Sequence, residues 1–432
     1  MLLEVGKMKY FTEEFQTYGH HIDMSQFRDL ELTGILMRYK TEKESFWERI
    51  GVGGSIGAKP LIYNNTIYFG AFDKNFYALT LDGKEKWRFQ TNGIIGYEAS
   101  AADGIIYFGS FDGNVYAVNE EGHLVWKFHT NEKVEGTPMV YDKRVYIGSC
   151  DNHVYKLDAY TGEKIWSFRT NGWQTTPLVY NSRVYFGYGD KILYCTDTNG
   201  NLLWRFKTQG LIAAWPPAQS KGIIYIGNWD KRCYAINSMD GRLVWKFEAG
   251  DVVYPPWVDN ERVYLGSRDG NVYCLTADTG KLLWKFPTQG FVAGPVVYKD
   301  TVFAGSYDNN LYAIDLSGKG LWKFGTNGFI TYSAAYNNVV YFGSWDCNLY
   351  AVNAETGELL WKFKTSIGTP SPIEPPERSE VKTLETVWQS EEKEKAGEKK
   401  QEVQLSDYGR IESDYTAGLS KDYIKGKKGY VK

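Results

Sequence analysis

Through most of the chain, apolar and polar residues alternate with a period of two, in runs too short for helices. RVYIGS (Arg144–Ser149), VYKLDA (Val154–Ala159) and KIWSF (Lys164–Phe168) follow one another, separated by CDNH and YTGE. Alternating runs bounded by Gly, Asn and Asp predict strands joined by tight hairpins. A further short run comes first in each stretch, such as TPLVY (Thr176–Tyr180) or GPVVY (Gly294–Tyr298), followed by a polar turn. Each stretch therefore predicts four antiparallel strands, A to D.

The stretch repeats. The aromatic residue opening each YxG-like triplet falls at Tyr68, Tyr107, Tyr146, Tyr185, Tyr225, Tyr264, Phe303 and Tyr341, in near-equal steps. A tryptophan marks strand D at Trp87, Trp126, Trp166, Trp204, Trp245, Trp284, Trp322 and Trp361. Four-stranded units at a period of about 40 residues predict propeller blades, and eight of them make one ring. The expected class is all-β: an eight-bladed β-propeller of four-stranded antiparallel blades, with a disordered C-terminal tail. The boundaries read as an N-terminal extension over 1–53, the propeller over 54–365 and a charged tail over 366–432.

The recurring residues have physical reasons. The glycine closing each triplet lets neighbouring backbone come close at a strand end. The aspartate three positions later, present in all eight units from Asp73 to Asp346, reads as a turn cap rather than a metal or catalytic array. The tryptophans suit the boundary between blades, where their large apolar area is best buried.

Segments such as VYFGSWDCNLYAVNAETGELLWKF (Val340–Phe363), repeated eight times, resemble the PQQ-like repeats of the quinoprotein alcohol dehydrogenase-type propellers. WD40 repeats fit less well, because a Gly-His element is missing, and kelch repeats fit less well by period. The resemblance implies an eight-bladed ring with Trp-mediated docking between blades. For the dehydrogenases of that superfamily it also implies pyrroloquinoline quinone with calcium, a catalytic aspartate and commonly a vicinal disulfide. This chain has no adjacent cysteines and lacks the usual long insertions, so no cofactor is expected. Other relatives are non-enzymatic, among them an outer-membrane-protein assembly lipoprotein that serves as an interaction scaffold.

Function is sought where the repeat varies, because one fold hosts many activities. The D-to-A connections and the B-to-C turns open on one face. Near the start of strand A, equivalent positions hold Lys59, Glu98, Pro255 and Tyr332, and one residue earlier Tyr97, Trp215 and Tyr254. The residue before the turn aspartate includes Trp229, Arg268, Tyr307 and Trp345; with Trp173 and Trp257 these make an aromatic-rich face. Such a face can stack on a planar ligand, a sugar or a partner's side chains, and it can equally pack the funnel. Glu98 is the acid to consider for chemistry, with a surface or ion-paired role favoured.

Composition narrows the classes further. With 49 Lys plus Arg against 52 Asp plus Glu, the net charge of −3 predicts no general nucleic-acid affinity. His20, His21, His123, His129 and His153 show no metal-ligand spacing, and neither a phosphate loop nor GxSxG occurs. Five dispersed cysteines, an N-terminus bearing Glu4, Lys7 and Lys9, and no long apolar run predict a cytoplasmic protein with reduced thiols and no membrane span.

The two ends differ from the ring. Residues 32–50 mimic a C-to-D hairpin, with Trp47 lying one repeat length before Trp87, so Trp47 and Trp361 compete for the outer strand that closes the ring. The tail is proline-rich, then densely charged, and ends with Tyr408, Tyr415, Tyr423 and Tyr430 among lysines. It reads as a solubilising tail, or as a motif for a partner, a nucleic acid or a ribosomal surface. The leading expectation is a non-enzymatic scaffold with a protein partner. The alternatives are a quinone-dependent oxidoreductase using the central funnel, and a carbohydrate-binding propeller.

Overall fold

The computed structural model describes residues 54–365, apart from Thr175, Ala214, Trp215 and Asn260. Their 32 strands, β1–β32 in chain order, form eight sheets of four consecutive antiparallel strands, in the predicted order A to D. Blade one is β1 (Leu61–Tyr63), β2 (Thr66–Gly70), β3 (Asn75–Thr80) and β4 (Glu85–Gln90). Blade eight is β29 (Ile330–Tyr336), β30 (Val339–Ser344), β31 (Asn348–Asn353) and β32 (Leu359–Lys364). No helix occurs among the described residues.

Local sequence explains the blade. Asn64 and Asn65 turn the first A–B hairpin with φ of 46° and 55°, the left-handed pair that matches strand twist in a two-residue loop. Asn tolerates that region because its short side chain bonds nearby backbone. A register shift recurs between strands C and D in every blade, as at Ala78/Leu79 and Ala351/Val352, and such a bulge adds local twist. Strands B and C are buried almost throughout, whereas the outer strands alternate exposed and half-buried positions. The core therefore lies between blades: Phe76 of blade one stacks on Phe108 of blade two at 4.0 Å.

The strand D tryptophans do what their spacing predicts. Each indole Nε1 donates to a carbonyl in the C–D turn of the next blade, for example Trp87 to Glu120 at 2.7 Å and Trp245 to Ala277 at 2.8 Å. The same ring lies against that turn's glycine. At Gly241 (φ 73°) a Cβ would stand 2.7 Å from the Trp204 ring, so the left-handed conformation and the close approach both demand glycine. Ring closure uses the same device: Trp361 Nε1 donates to Leu81 O at 3.0 Å, and its ring covers Gly83.

Trp361 thus lies on the outer strand of blade eight, which is complete without another segment. Trp47 and the hairpin-like stretch around it lie outside the described residues, as does the whole tail with its four tyrosines. Chain entry completes the seam, with Ile56 N donating to Ser344 O at 3.2 Å and Thr365 Oγ1 donating to Gly54 O at 2.6 Å.

The turn aspartates also act as expected, and they do more than cap. Asp112 Oδ1 accepts from Asn114 N at 3.0 Å, and its Oδ2 accepts from Tyr116 Oη at 2.8 Å and from Asn92 N, in the connection arriving from blade one, at 3.0 Å. Asp308 repeats the triad with Asn310, Tyr312 and Gln289. One carboxylate therefore ties a turn, a strand and the incoming connection together.

Because Trp361 is the docking indole at the seam, Trp361→Ala should cost about 3–5 kcal/mol and raise amide exchange first in blades one and eight. Trp204→Ala, away from the seam, should instead loosen blades four and five. Identical exchange patterns in the two variants would show that the seam is not a separate mechanical element.

Candidate functional site

Antiparallel strand order brings the D–A connections and the B–C turns to one face, where the aspartate clamps hold them. On that face a run of ring contacts crosses five blades. The Arg268 guanidinium, 8% exposed, lies 4.5 Å from the Trp229 ring centre and 5.6 Å from that of Phe291. Its Nε donates to Tyr254 Oη at 3.2 Å. Phe291 meets Tyr307 at 5.7 Å, Tyr307 stacks on Phe329 at 4.9 Å, Phe329 meets Trp345 at 5.5 Å, and Trp345 meets Phe72 at 5.9 Å. A cation over aromatic faces is favourable because the ring quadrupole is negative there, and partial burial strengthens it.

Across the funnel stands a group that sequence reading missed. Glu135 is 3% exposed beside Cys150, and burial pushes its carboxyl up to about 7, against a smaller opposing pull from Lys133 and the thiol. Tyr97 and Tyr188 stand close by; burial raises both hydroxyls, and the Glu135 charge adds to it. Burial likewise pushes the Cys150 thiol well up, which makes it a poor nucleophile. The period did carry a signal: Glu135 takes the repeat position that Gly57 and Gly96 hold in the two preceding units. The other units hold Gln174 or a small or apolar residue there, so Glu135 is the one carboxylate at that position of the repeat.

The third feature is a cavity at the mouth of the central channel, lined among others by Lys59, Glu98, Trp257 and Tyr332. Lys59 Nζ, from the entry to blade one, lies 5.3 Å from the Trp257 ring centre on blade six. Glu98 is buried, at 7% exposure, which leaves the ion-paired role of the two favoured for it.

The structure thus divides the predicted face into three. Lys59, Glu98, Trp257 and Tyr332 share the channel mouth, while Trp229, Tyr254, Arg268, Tyr307 and Trp345 lie along the aromatic arc. Tyr97 joins Glu135, and Trp173 stacks on Tyr188 at 6.4 Å. Trp215 lies outside the described residues. The pyrroloquinoline quinone and calcium implied by the resemblance do not fit these groups. Calcium needs six to eight oxygens, whereas Glu135 sits among a thiol, two tyrosines and a lysine. The Trp229 face that a flat ring would use carries the Arg268 guanidinium.

Blades, docking indoles and closed ring define an eight-bladed β-propeller of PQQ-like repeats. A family model described as outer membrane protein assembly factor BamB matches residues 81–204, 189–285 and 234–374, so the chain belongs to that family. Among solved structures, BamB from Moraxella catarrhalis is similar with a TM-score of 0.58 and 17% identity, covering 71% of this chain and 96% of that one. The computationally designed Ika8 protein is similar with a TM-score of 0.61 and 19% identity, covering 72% and 96%. No curated protein matches the chain.

Glu135 gives stability a defined pH dependence. Its folded pKa lies above the ordinary 4.5, so its contribution is complete below about 4.5 and is lost as pH rises through about 7. Glu135→Gln removes that loss and should be more stable than the parent at pH 8, by at most about 3 kcal/mol, with the gap closing by pH 4. Denaturant melts of both proteins across that range would check it, and a gap independent of pH would exclude a titrating Glu135.

Proposed function

We propose that this protein is a non-enzymatic scaffold that binds a protein partner through the face of its D–A connections and B–C turns. The observation that carries this reading is the unbroken arc from Trp229 and Arg268 to Trp345 and Phe72. Trp, Tyr and Arg are the residues that dominate binding energy at interfaces, because they bring large area at low rotamer cost. Family membership supports the same reading, since BamB is by its description an assembly factor. A sugar finds less purchase, because Lys59 lies over Trp257 and Arg268 over Trp229.

Photo-crosslinking residues placed at Trp345 and Trp173 in the full chain should capture a discrete partner, and one placed at Leu360 on the outer rim should not. Arg268→Ala should reduce capture about tenfold. Capture from the rim alone would overturn the reading. Loss of capture in a chain ending at Thr365 would move binding to the tail.

The five single thiols support a reducing compartment, and we assign the protein to the cytoplasm. Protein isolated without reductant and unfolded in urea should titrate all five thiols; a lower count would contradict that assignment.

A further inference from the structure

Blade eight ends in β32, the last strand of its sheet, so one backbone edge of β32 has no strand beside it among the described residues. Leu359 and Leu360 open that strand and are 46% and 50% exposed. Beyond them, exposed Lys362 and Lys364 alternate with Trp361 and Phe363, which pack toward blade one. A free edge carrying adjacent leucines is a template for a further strand. The chain outside the described residues contains a match. Residues 44–50 carry Trp47 one repeat length before Trp87, and so fall at the same place in the repeat as β32. That place is taken, because Trp361 already covers Gly83. The match departs from the repeat in charge: the residue after the strand D tryptophan is Arg, Lys or Ser in all eight blades, but Glu48 here. Gly54 O accepts from Thr365 Oγ1 at 2.6 Å, which ties residue 50 to the end of β32 by four residue steps, about 14 Å of chain at full extension.

We propose that residues 44–50 lie along the free edge of β32, running in the same direction, as a fifth strand of blade eight. Aligned through the repeat, Trp47 stands level with Trp361, Phe46 with Leu360 and Glu48 with Lys362. Phe46 then covers exposed leucine surface, and Glu48 meets an ammonium where an ordinary repeat strand would set one basic residue against another. That accounts for the change of sign: a basic residue suits a strand edge left in water, whereas an acid suits a strand laid on Lys362. Gly51, Gly53 and Gly54 give the chain the freedom to turn from this outer strand into blade one. The segment seals the edge of the blade at which the ring closes. It adds to β32 and does not replace it, since the seat on Gly83 belongs to Trp361. The inference is independent of the binding face proposed above.

Zero-length carbodiimide crosslinking of the full-length protein tests it. Peptide mass spectrometry should find Glu48 joined to Lys362 in the single-chain band of a denaturing gel, and Glu48→Gln should abolish that link. Amide exchange gives a second readout. Phe46→Asp in the full chain should speed exchange in β32 about tenfold. Strand D of blade six, β24 (Leu282–Pro287), also exposes two leucines and should keep its parental rate, showing that the ring is intact. Glu48→Lys should speed exchange in β32 as well, and adding Lys362→Glu should restore it. A Glu48–Lys362 link confined to a two-chain band would assign the edge to a second copy and overturn the proposal. Exchange in β32 that ignores Phe46→Asp, or a Lys362 link to the tail in place of Glu48, would overturn it too.

Discussion

Everything in this ring depends on one contact made eight times: an indole of one blade lying against a left-handed glycine of the next, with its N–H on that turn's carbonyl. Hydrogen bonds within a sheet hold a blade together but do nothing to join it to its neighbour. The docking indole supplies that link with directional and apolar terms together, since the N–H fixes orientation while the ring buries area. Trp361 on Gly83 makes the last link, so the seam has the same chemistry as the other joints rather than a special strand exchange.

The aspartate clamps turn this mechanical ring into a platform. Where an aspartate such as Asp112 holds the incoming connection, the B–C turn and a strand C tyrosine at once, its carboxylate fixes where the next residues of the connection point. Residues beyond the clamp then vary without loosening the scaffold. That is why Glu135, Lys59 and Arg268 occur singly, each in one blade, over an otherwise regular architecture.

The loop face also shows that one aromatic residue can serve both packing and recognition. Tyr307, Phe329 and Trp345 pack against one another, yet Tyr307 and Trp345 keep part of their surface open on the face where a partner would land. Pre-packed rings lose little freedom on binding, which favours them as anchors. The Arg268 guanidinium adds charge to the arc while held by ring faces and the Tyr254 hydroxyl.

By itself the sequence determined the blade count, the strand order, the docking tryptophans and the clamping aspartates. These follow from the regular repeat, and each involves partners within a blade or in the next one, at separations that the repeat makes constant. The repeat also showed where variation sits, and so pointed to Lys59, Glu98, Arg268 and the aromatic face. Only the tertiary structure decided which of those residues meet. Lys59 reaches Trp257, five blades further along the chain, because closure brings blade one and blade six to the same channel. Burial, which no repeat pattern specifies, raised the pKa of Glu135, left the Trp257 N–H without an acceptor among the described residues and laid cations over two of the expected stacking platforms. Contacts of that kind depend on the curvature of the whole ring and the side chains that fill its centre, and a period along the chain carries no information about either.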